Sequence, residues 1–267
     1  FLGGFTTGSA MSAADSGAYF GELASPFGSI IWHLLALILV SIVLISGISK
    51  GIETMNKIMM PAFYILFVIV MVRVFMLDGA FEGIKYLVVP KWSSLMEPKT
   101  WIYALGQAFF SLSLAGSGMI VYGSYLKRDV DIMSSAKNTV IFDTLGAFLA
   151  GLVIIPAVFA FNLDPASGPP LLFITIPSVF KLMPFGRLFG VIFFISVLFA
   201  SITSLMNLLE VPIEAVQSTF KLKRKLSVFI VVGAAFIFGL FAEDKVANIT
   251  INTINIHEII IILKSNI

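Results

Sequence analysis

The chain has 267 residues, of which 58% are hydrophobic and only 12% are charged, and its formal net charge is +2 at pH 7. The mean hydropathy of +1.02 excludes an ordinary soluble domain, and the absence of cysteine excludes disulfides, thiolate metal sites and cysteine nucleophiles. About 20 apolar residues cross a bilayer core of roughly 30 Å, and the chain supplies six such runs. We therefore predict an all-α polytopic membrane protein.

The apolar runs divide the chain into spans and loops. The predicted spans are 29–48, 58–77, 104–125, 139–161, 185–211 and 226–240. The proline-rich loop at 162–184 is partly apolar, as a re-entrant or lid-like segment would be. We assign residues 1–243 to one transmembrane domain and treat the Ile- and Asn-rich residues 244–267 as a low-complexity tail without a function, whose native origin stays open. The first residues lack an initiator methionine and a basic region, so we expect the chain to begin inside a longer protein.

Basic residues concentrate in alternate loops. They are Lys50 and Lys57, then Lys127, Arg128 and Lys137, and then Lys221, Lys223, Arg224 and Lys225. Lys and Arg are enriched in cytoplasmic loops, so these three loops are predicted to be cytoplasmic. The N-terminal segment then lies outside.

The span at 104–125 contains small and polar residues at its centre, SLAGSG at 113–118. Such a sequence favours a broken helix, and unwound backbone survives in a membrane only where protein, water or a ligand pairs the freed groups. Half-helix ends of this kind bind ions and carboxylates in transporters. The alternative is a packing seam of small residues between helices. The run of small and polar positions favours unwinding.

Ala200, Thr203 and Ser204 share one helix face and could supply an oxygen shell for a hard cation. Taken alone, such hydroxyls more often bond back to their own helix or join two helices. Asp143 lies inside an apolar span, which favours a functional site over an interfacial pair with Lys137. Glu210, near the inner end of its span, is expected to pair or to reach the interface.

Gly51 and Pro61 bracket the start of the second span, where they could form a reversible hinge or simply the first turns of a helix. No enzyme is predicted, because the chain contains no H-E-x-x-H motif and no phosphate loop.

Five stretches together resemble the signature sequences of the neurotransmitter:sodium symporter family, in its bacterial amino-acid transporter branch. They are ISGISKGIE at 45–53, WIYALGQAFFSLSL at 101–114, YGSYLKRD at 122–129, GPPLLFITIP at 168–177 and SVLFASITSLMNLLEV at 196–211. The resemblance implies two inverted five-helix repeats, with sodium and amino acid bound midway through the membrane between broken helices one and six. It places this chain from the end of helix three to about helix nine, so it is a fragment with six to seven spans.

The resemblance also implies roles for residues of the broken helix. Phe110 covers the substrate, Ser111 belongs to the first sodium site, and Ser113 and Leu114 line the pocket. Gly116 stands where many relatives carry a large side chain, which implies a roomy pocket for a bulky hydrophobic or aromatic amino acid.

A second group of roles falls on the following helices. Ala200, Thr203 and Ser204 match the second sodium site, and Ser204 and Leu208 also approach the substrate. Asp143, with Gln107 as its neighbour, matches the position where chloride-independent members supply a carboxylate in place of chloride.

Three residues are implied in gating: Gly51 and Pro61, which resemble the family element that unwinds in helix five, and Tyr125. Ser218 falls where many members have a gating aspartate, so the inner gate is expected to differ.

The implied function is sodium-coupled, chloride-independent symport of a neutral amino acid by alternating access, in the cell inner membrane. The expected ligands are sodium ions and an amino acid, without an organic cofactor or nucleic acid. Two alternatives stay open: a truncated remnant that does not transport, and a proton-coupled transporter of the same fold.

Overall fold

The computed structural model describes residues 13–114, 116–161, 171–182 and 184–242. Within these residues the α-helices are α1 Ala13–Leu23, α2 Ile30–Ile45, α3 Thr54–Phe75, α4 Ala80–Val88, α5 Pro98–Ser111, α6 Gly118–Ser124, α7 Ile132–Ala160, α8 Ile176–Leu182, α9 Gly186–Phe220 and α10 Arg224–Ala242. Two π-helices, Ile48–Glu53 and Leu171–Thr175, and a 3₁₀-helix, Trp92–Met96, connect them. The prediction of an all-α protein is confirmed for this part of the chain.

Four helical segments of the described chain are long and apolar enough to cross a membrane. They are Ile48–Phe75, Ile132–Ala160, Gly186–Phe220 and Arg224–Ala242. Large apolar side chains cover their outer faces, and Ile65, for example, is 61% exposed, as contact with hydrocarbon requires. The remaining predicted spans are the shorter apolar α2 and the interrupted pair α5 and α6. The low-complexity tail and the first half of the proline-rich loop lie outside the described residues.

Helix boundaries extend beyond the hydrophobic runs. The span predicted from residue 139 begins at Ile132, because Asp131 caps the helix by accepting a hydrogen bond from the Met133 amide. The span predicted to end at residue 211 continues to Phe220. Polar residues therefore lengthen both helices past the apolar core of the membrane.

Two hydrophobic cores lie side by side, and α9 contributes to both. In the first core, Phe67 of α3 and Phe193 of α9 pack with Phe180 of α8 and with residues of α7. The second core joins α2, the first π-helix, α9 and α10, with Leu44 and Met206 fully buried in it. Helix α9 is thus the axis that fixes the elements of one core relative to those of the other.

Helices α4 and α7 approach closely at Gly83. A Cβ atom added to Gly83 would lie 2.5 Å from the Cα atom of Pro156 and 2.9 Å from its nitrogen. These are backbone atoms, so a side chain at this position cannot be accommodated by a simple rotamer change. Glycine at 83 is required by the packing of α4 on α7.

We predict that Gly83→Ala lowers the free energy of unfolding by about 1–3 kcal/mol, because the added methyl group overpacks the contact with Pro156. Gly233→Ala in α10 is the matched control, since nothing lies within 4 Å of an added Cβ there. Thermal unfolding of the two variants in detergent checks this. Equal melting temperatures would contradict the packing argument.

Candidate functional site

The predicted interruption of the helix at 104–125 is present. Helix α5 ends at Ser111 and α6 begins at Gly118, and the residues between them include two serines with left-handed backbone, Ser113 (φ 54°) and Ser117 (φ 58°). Left-handed φ values are uncommon for residues other than glycine and cost free energy. The chain therefore turns sharply here instead of continuing as one helix.

Side chains around the break face open space. Phe110 is 73% exposed and Leu114 is 48% exposed. Ser113 is also exposed, and a Cβ atom added to Gly116 would meet no atom within 4 Å. The residues of the broken helix that the resemblance assigns to the substrate pocket are thus exposed in this chain.

Asp143 and Ser111 meet across two helices. The hydroxyl of Ser111, at the end of α5, donates a hydrogen bond of 2.8 Å to Oδ2 of Asp143. Asp143 lies eleven residues after the start of α7 at Ile132, well inside the helix. The alternative partner, Lys137, is not the contact that the structure shows. Gln107 lies exposed on α5, one turn before Ser111.

A hydrogen bond from α3 also holds the backbone next to Asp143 in place. The hydroxyl of Tyr64 donates a hydrogen bond of 2.7 Å to the carbonyl oxygen of Phe142, the residue before Asp143. The Tyr64 hydroxyl lies 3.1 Å from where a Cβ of Gly146 would be, so the absence of a side chain at Gly146 makes room for it. Three helices, α3, α5 and α7, therefore converge on this carboxylate.

The second predicted ion site contains two adjacent oxygens on α9. The Thr203 hydroxyl is 2.9 Å from the carbonyl oxygen of Ala200 and 3.0 Å from that of Phe199, to which it donates. Thr203 is buried, whereas Ser204 and Leu208 are exposed on the neighbouring face. The predicted alternative, a hydroxyl bonded back to its own helix, is present at Thr203, and it leaves the Ala200 carbonyl and the Thr203 hydroxyl side by side.

The predicted hinge coincides with a π-helix. Gly51 is buried within the π-helix Ile48–Glu53, and a Cβ atom there would collide with the carbonyl oxygen of Val43 in α2. The wider π-turn bonds the Ile52 amide to the carbonyl of Gly47 at 3.3 Å. Pro61 follows inside α3. This end of the span is an irregular helix that glycine and proline favour.

An open cavity of about 620 Å³ joins this hinge to α6. It is lined by Ile48, Ile52, Glu53, Asn56, Lys57, Pro61, Tyr122, Tyr125 and Leu126. Two of the three predicted gating residues, Pro61 and Tyr125, therefore face one space, and Gly51 lies directly beside it in the chain. Ser218, by contrast, donates its hydroxyl hydrogen to the carbonyl of Glu214 in its own helix, at 2.8 Å.

A hydrogen-bonded network at this end of the bundle was not predicted. Glu210, which is fully buried in α9, receives two hydrogen bonds from Arg224 of α10, at 3.0 and 2.7 Å. The Tyr125 hydroxyl lies 3.0 Å from Glu210 Oε1 and 3.0 Å from Glu214 Oε2. Arg224 also donates from Nε to the carbonyl of Leu44, at the end of α2. Four helices are tied together through these contacts.

The sequence indicated that Glu210 needs a partner, but it did not identify that partner. A carboxylate near the inner end of a span was expected to pair, and Glu210 does so. Its partner Arg224 belongs to the basic run at 221–225, a pattern that predicts the orientation of the chain but not this contact. A nearby tyrosine on α6, Tyr122, bonds to Asn207 of α9 at 2.6 Å and adds to the same interface.

We predict that Arg224→Met lowers the free energy of unfolding by roughly 3–5 kcal/mol, because it leaves the buried Glu210 carboxylate without its counter-charge. The double variant Arg224→Met with Glu210→Met should recover most of the loss. Lys57→Met is the control: its pair with Glu53 is 2.7 Å long but solvent-exposed, so its loss should change the stability very little. Thermal unfolding distinguishes these variants, and an equal loss for Lys57→Met and Arg224→Met would contradict the assignment.

Comparison with known proteins identifies the family to which this chain is similar. The chain matches the family model described as Sodium:neurotransmitter symporter family over residues 20–258. It is 39% identical over 218 residues to the uncharacterized sodium-dependent transporter YhdH of Bacillus subtilis (strain 168), covering 81% of this chain and 48% of that protein. It is 34% identical over 231 residues to an uncharacterized sodium-dependent transporter of Haemophilus influenzae, covering 85% of this chain and 50% of that protein. The chain thus spans about half the length of the curated relatives it matches.

The fold is similar to that of a solved transporter structure. The crystal structure of MhsT in complex with L-phenylalanine matches with a TM-score of 0.83 and 34% sequence identity, covering 92% of this chain and 56% of that chain. The expectation of a partial symporter fold with a broken helix is confirmed by this match together with the helix break observed between α5 and α6.

Proposed function

Because this chain belongs to the Sodium:neurotransmitter symporter family, we propose that it takes part in sodium-coupled symport of a neutral, hydrophobic or aromatic amino acid by alternating access. Membership of a family of sodium symporters and the four membrane-length apolar helices of the described chain make it an integral membrane protein and a transporter homologue. Beyond family membership, we propose the sites of the coupled ions, the class of the substrate and the position of the gate.

The hydrogen bond between Ser111 and Asp143 is the observation that carries the proposal. A carboxylate inside a membrane helix is costly unless a positive charge accompanies it. The partner observed for Asp143 is a neutral hydroxyl, and both groups lie at the C-terminal end of α5, where the helix dipole is negative. This arrangement attracts a cation, and oxygen groups are suited to a hard one such as sodium.

The fixed charge of Asp143 also supports the proposal that transport is independent of chloride. A sodium ion bound beside Asp143 is neutralised by the fixed negative charge of this residue. No mobile anion is then needed at this position. The Ala200 carbonyl and the Thr203 hydroxyl are proposed as part of a second sodium site, to which Ser204 adds an oxygen from the exposed face of α9.

The open break between α5 and α6 supports the choice of a bulky substrate. A side chain added at Gly116 would meet no atom within 4 Å, and Phe110, Ser113 and Leu114 of the same interrupted helix are exposed. The similar MhsT structure was solved with L-phenylalanine. We therefore assign Phe110, Ser113, Leu114, Gly116, Ser204 and Leu208 to substrate binding.

The proposed gate is the cavity between the first π-helix and α6. Gly51 and Pro61 permit the helix to rearrange there, while Tyr125 connects α6 to α9 through carboxylates. Opening of this end would expose the second sodium site to the cytoplasm. The basic loops support an orientation with this end inside and the N-terminal segment outside, and the proposed location is the cell inner membrane. Residues 1–243 are proposed to form one transmembrane domain.

We predict that proteoliposomes containing the full-length protein take up radiolabelled phenylalanine only with an inward sodium gradient, and that replacing chloride with gluconate leaves the rate unchanged.

The variant Asp143→Asn tests the role of the fixed charge. It should lower uptake at least about tenfold in chloride-free buffer, with partial recovery when chloride is added. Asp131→Asn, which changes a carboxylate at the helix cap, is the control and keeps chloride independence. Uptake that is independent of sodium in the wild-type protein would refute symport, and uptake driven by a pH gradient alone would favour proton coupling.

We predict that Gly116→Leu shifts selectivity from large to small amino acids, because a leucine side chain fills the open space at the helix break. Competition of labelled uptake by unlabelled phenylalanine and alanine measures this. The ratio of their inhibition constants should change at least about tenfold in favour of alanine. Gly106→Leu on α5, where an added Cβ also meets nothing within 4 Å, should leave the ratio unchanged. An unchanged ratio in Gly116→Leu would remove the argument for a bulky substrate.

A further inference from the structure

Helix α4 lies along α7 and runs in the opposite direction. A Cβ atom added to Gly79, the residue before α4, would lie 3.4 Å from the Cα atom of Ala160, the last residue of α7. The close contact at Gly83 follows one turn later. Near the other end of α4, a side-chain carbon of Leu87 lies 3.3 Å from where a Cβ atom of Gly151 would be. As α4 proceeds, it therefore moves from the end of α7 toward the middle of α7.

The length of α7 determines how deep α4 lies. Its 29 residues give a length of roughly 43 Å, which exceeds the hydrocarbon core of about 30 Å. If the core is centred on Gly146, the middle residue of α7, it extends roughly ten residues to either side and ends near Pro156. By their contacts with α7, Leu87 then lies inside the core and Gly79 lies outside it. Helix α4 thus enters the membrane from its surface.

A second face of α4, away from α7, is apolar and exposed. Phe81 and Val88 are 73% and 54% exposed. Lys85 is also exposed and lies between them at intervals of four and three residues, so the three side chains share one side of the helix. The 3₁₀-helix that follows α4 exposes Trp92 and Met96 as well. Such a surface at the boundary of the core is suited to lipid and not to water.

The charges of this segment are arranged as a phospholipid surface requires. Its acidic residues, Asp78 and Glu82, lie at the end nearer to water, and residues 83–96 contain no acidic residue. The charges that remain are those of Lys85 and Lys91. A lysine can keep its carbon stem in apolar surroundings while its ammonium group reaches the phosphates.

Tyr86 supports the same placement. Its ring centre lies 5.1 Å from that of Phe159, next to the last residue of α7, so the side chain points from the deeper half of α4 back toward the membrane surface. The ammonium nitrogen of Lys91 lies 5.5 Å from the centre of the Tyr86 ring. Tyrosine is enriched at membrane interfaces, and its ring stabilises a nearby cation.

We propose that α4 is a lipid-anchoring helix. It enters the phospholipid leaflet at the Ala160 end of α7, with Phe81 at the headgroup boundary, Val88 against lipid chains and the Lys85 ammonium against a lipid phosphate. The partner is a phospholipid, because the deeper half of this face lies below the surface that a soluble protein can reach. The inference requires an integral membrane protein and does not depend on transport.

The absence of cysteine from the chain permits a test by site-specific spin labelling. Full-length protein in liposomes of phosphatidylcholine and phosphatidylglycerol carries one label, at Phe81→Cys or at Val88→Cys. Collisions with oxygen, which concentrates in lipid, and with a nickel chelate, which stays in water, report the depth of the label, and doxyl-labelled phospholipids calibrate it. The exposed Lys127→Cys, in a predicted cytoplasmic loop, is the aqueous control.

The ratio of oxygen to nickel collisions should be highest at Val88→Cys, intermediate at Phe81→Cys and lowest at Lys127→Cys. The first two labels should differ in depth by up to about 10 Å, the rise of seven helical residues.

Substitutions at Lys85 test the phosphate contact with the label kept at Val88→Cys. Lys85→Glu places a carboxylate among phosphates and should move the label toward water. Lys85→Arg retains a long cationic side chain and should leave the depth unchanged. Equal label depths in Lys85→Glu and Lys85→Arg would remove the phosphate contact from the proposal.

Three results would overturn the lipid anchor. A ratio at Val88→Cys as low as that at Lys127→Cys would make α4 part of an aqueous loop. Exclusion of both reagents from Phe81→Cys and Val88→Cys would show that another part of the full-length protein, or a second copy, covers this face. A label that lies deeper at Phe81→Cys than at Val88→Cys would contradict the direction in which α4 enters the membrane. Because labelling requires no transport, failure of sodium-driven uptake would refute the proposed function and leave the lipid anchor standing.

Discussion

The cost of placing a carboxylate inside an apolar helical bundle governs this structure. Two carboxylates show the two ways of meeting that cost. Glu210 is fully buried and has a bidentate partner in Arg224, so its charge is compensated by the protein itself. Asp143 meets the hydroxyl of Ser111, which supports its charge without neutralising it. The first carboxylate holds helices together, and the second is proposed to attract a cation.

The break between α5 and α6 lets one span serve both carboxylates. Its first half ends at Ser111, which contacts Asp143 of α7, and its second half carries Tyr125, which contacts Glu210 of α9. In a continuous helix the two contacts would belong to one rigid element and would have to move together. Because the chain turns at Ser113 and Ser117, the two halves attach to different neighbours. In the proposed mechanism this separation lets one end open while the other stays closed.

Local features were predictable from the sequence, because they depend on residues close together in the chain. The small and polar run at 113–118 predicted the helix break, and Gly51 with Pro61 predicted the irregular start of the second span. The family resemblance brought Ser111 and Asp143 to the same proposed site although they are 32 positions apart. The lengths of α7 and α9 were underestimated, since hydropathy measures the membrane core and not the capped ends of helices.

Contacts between distant helices were not predictable in the same way. The contact between Tyr125 and Glu210 joins residues 85 positions apart, and hydropathy carries no information on which faces of α6 and α9 meet. The sequence indicated that Glu210 needed a partner, but several basic residues in the run at 221–225 were equally available. Only the packing of α10 against α2 and α9 selects Arg224, because it also brings the Leu44 carbonyl within hydrogen-bonding distance.

We propose two sodium sites, one that includes Ser111 and Asp143 and one that includes Ala200 and Thr203. Equilibrium binding of radioactive sodium to the full-length protein, together with Ser111→Ala and Thr203→Val, tests it most directly. The account predicts that each variant loses one component of saturable binding, while Ser218→Ala binds as the wild-type protein does. Undiminished sodium binding by both Ser111→Ala and Thr203→Val would contradict it.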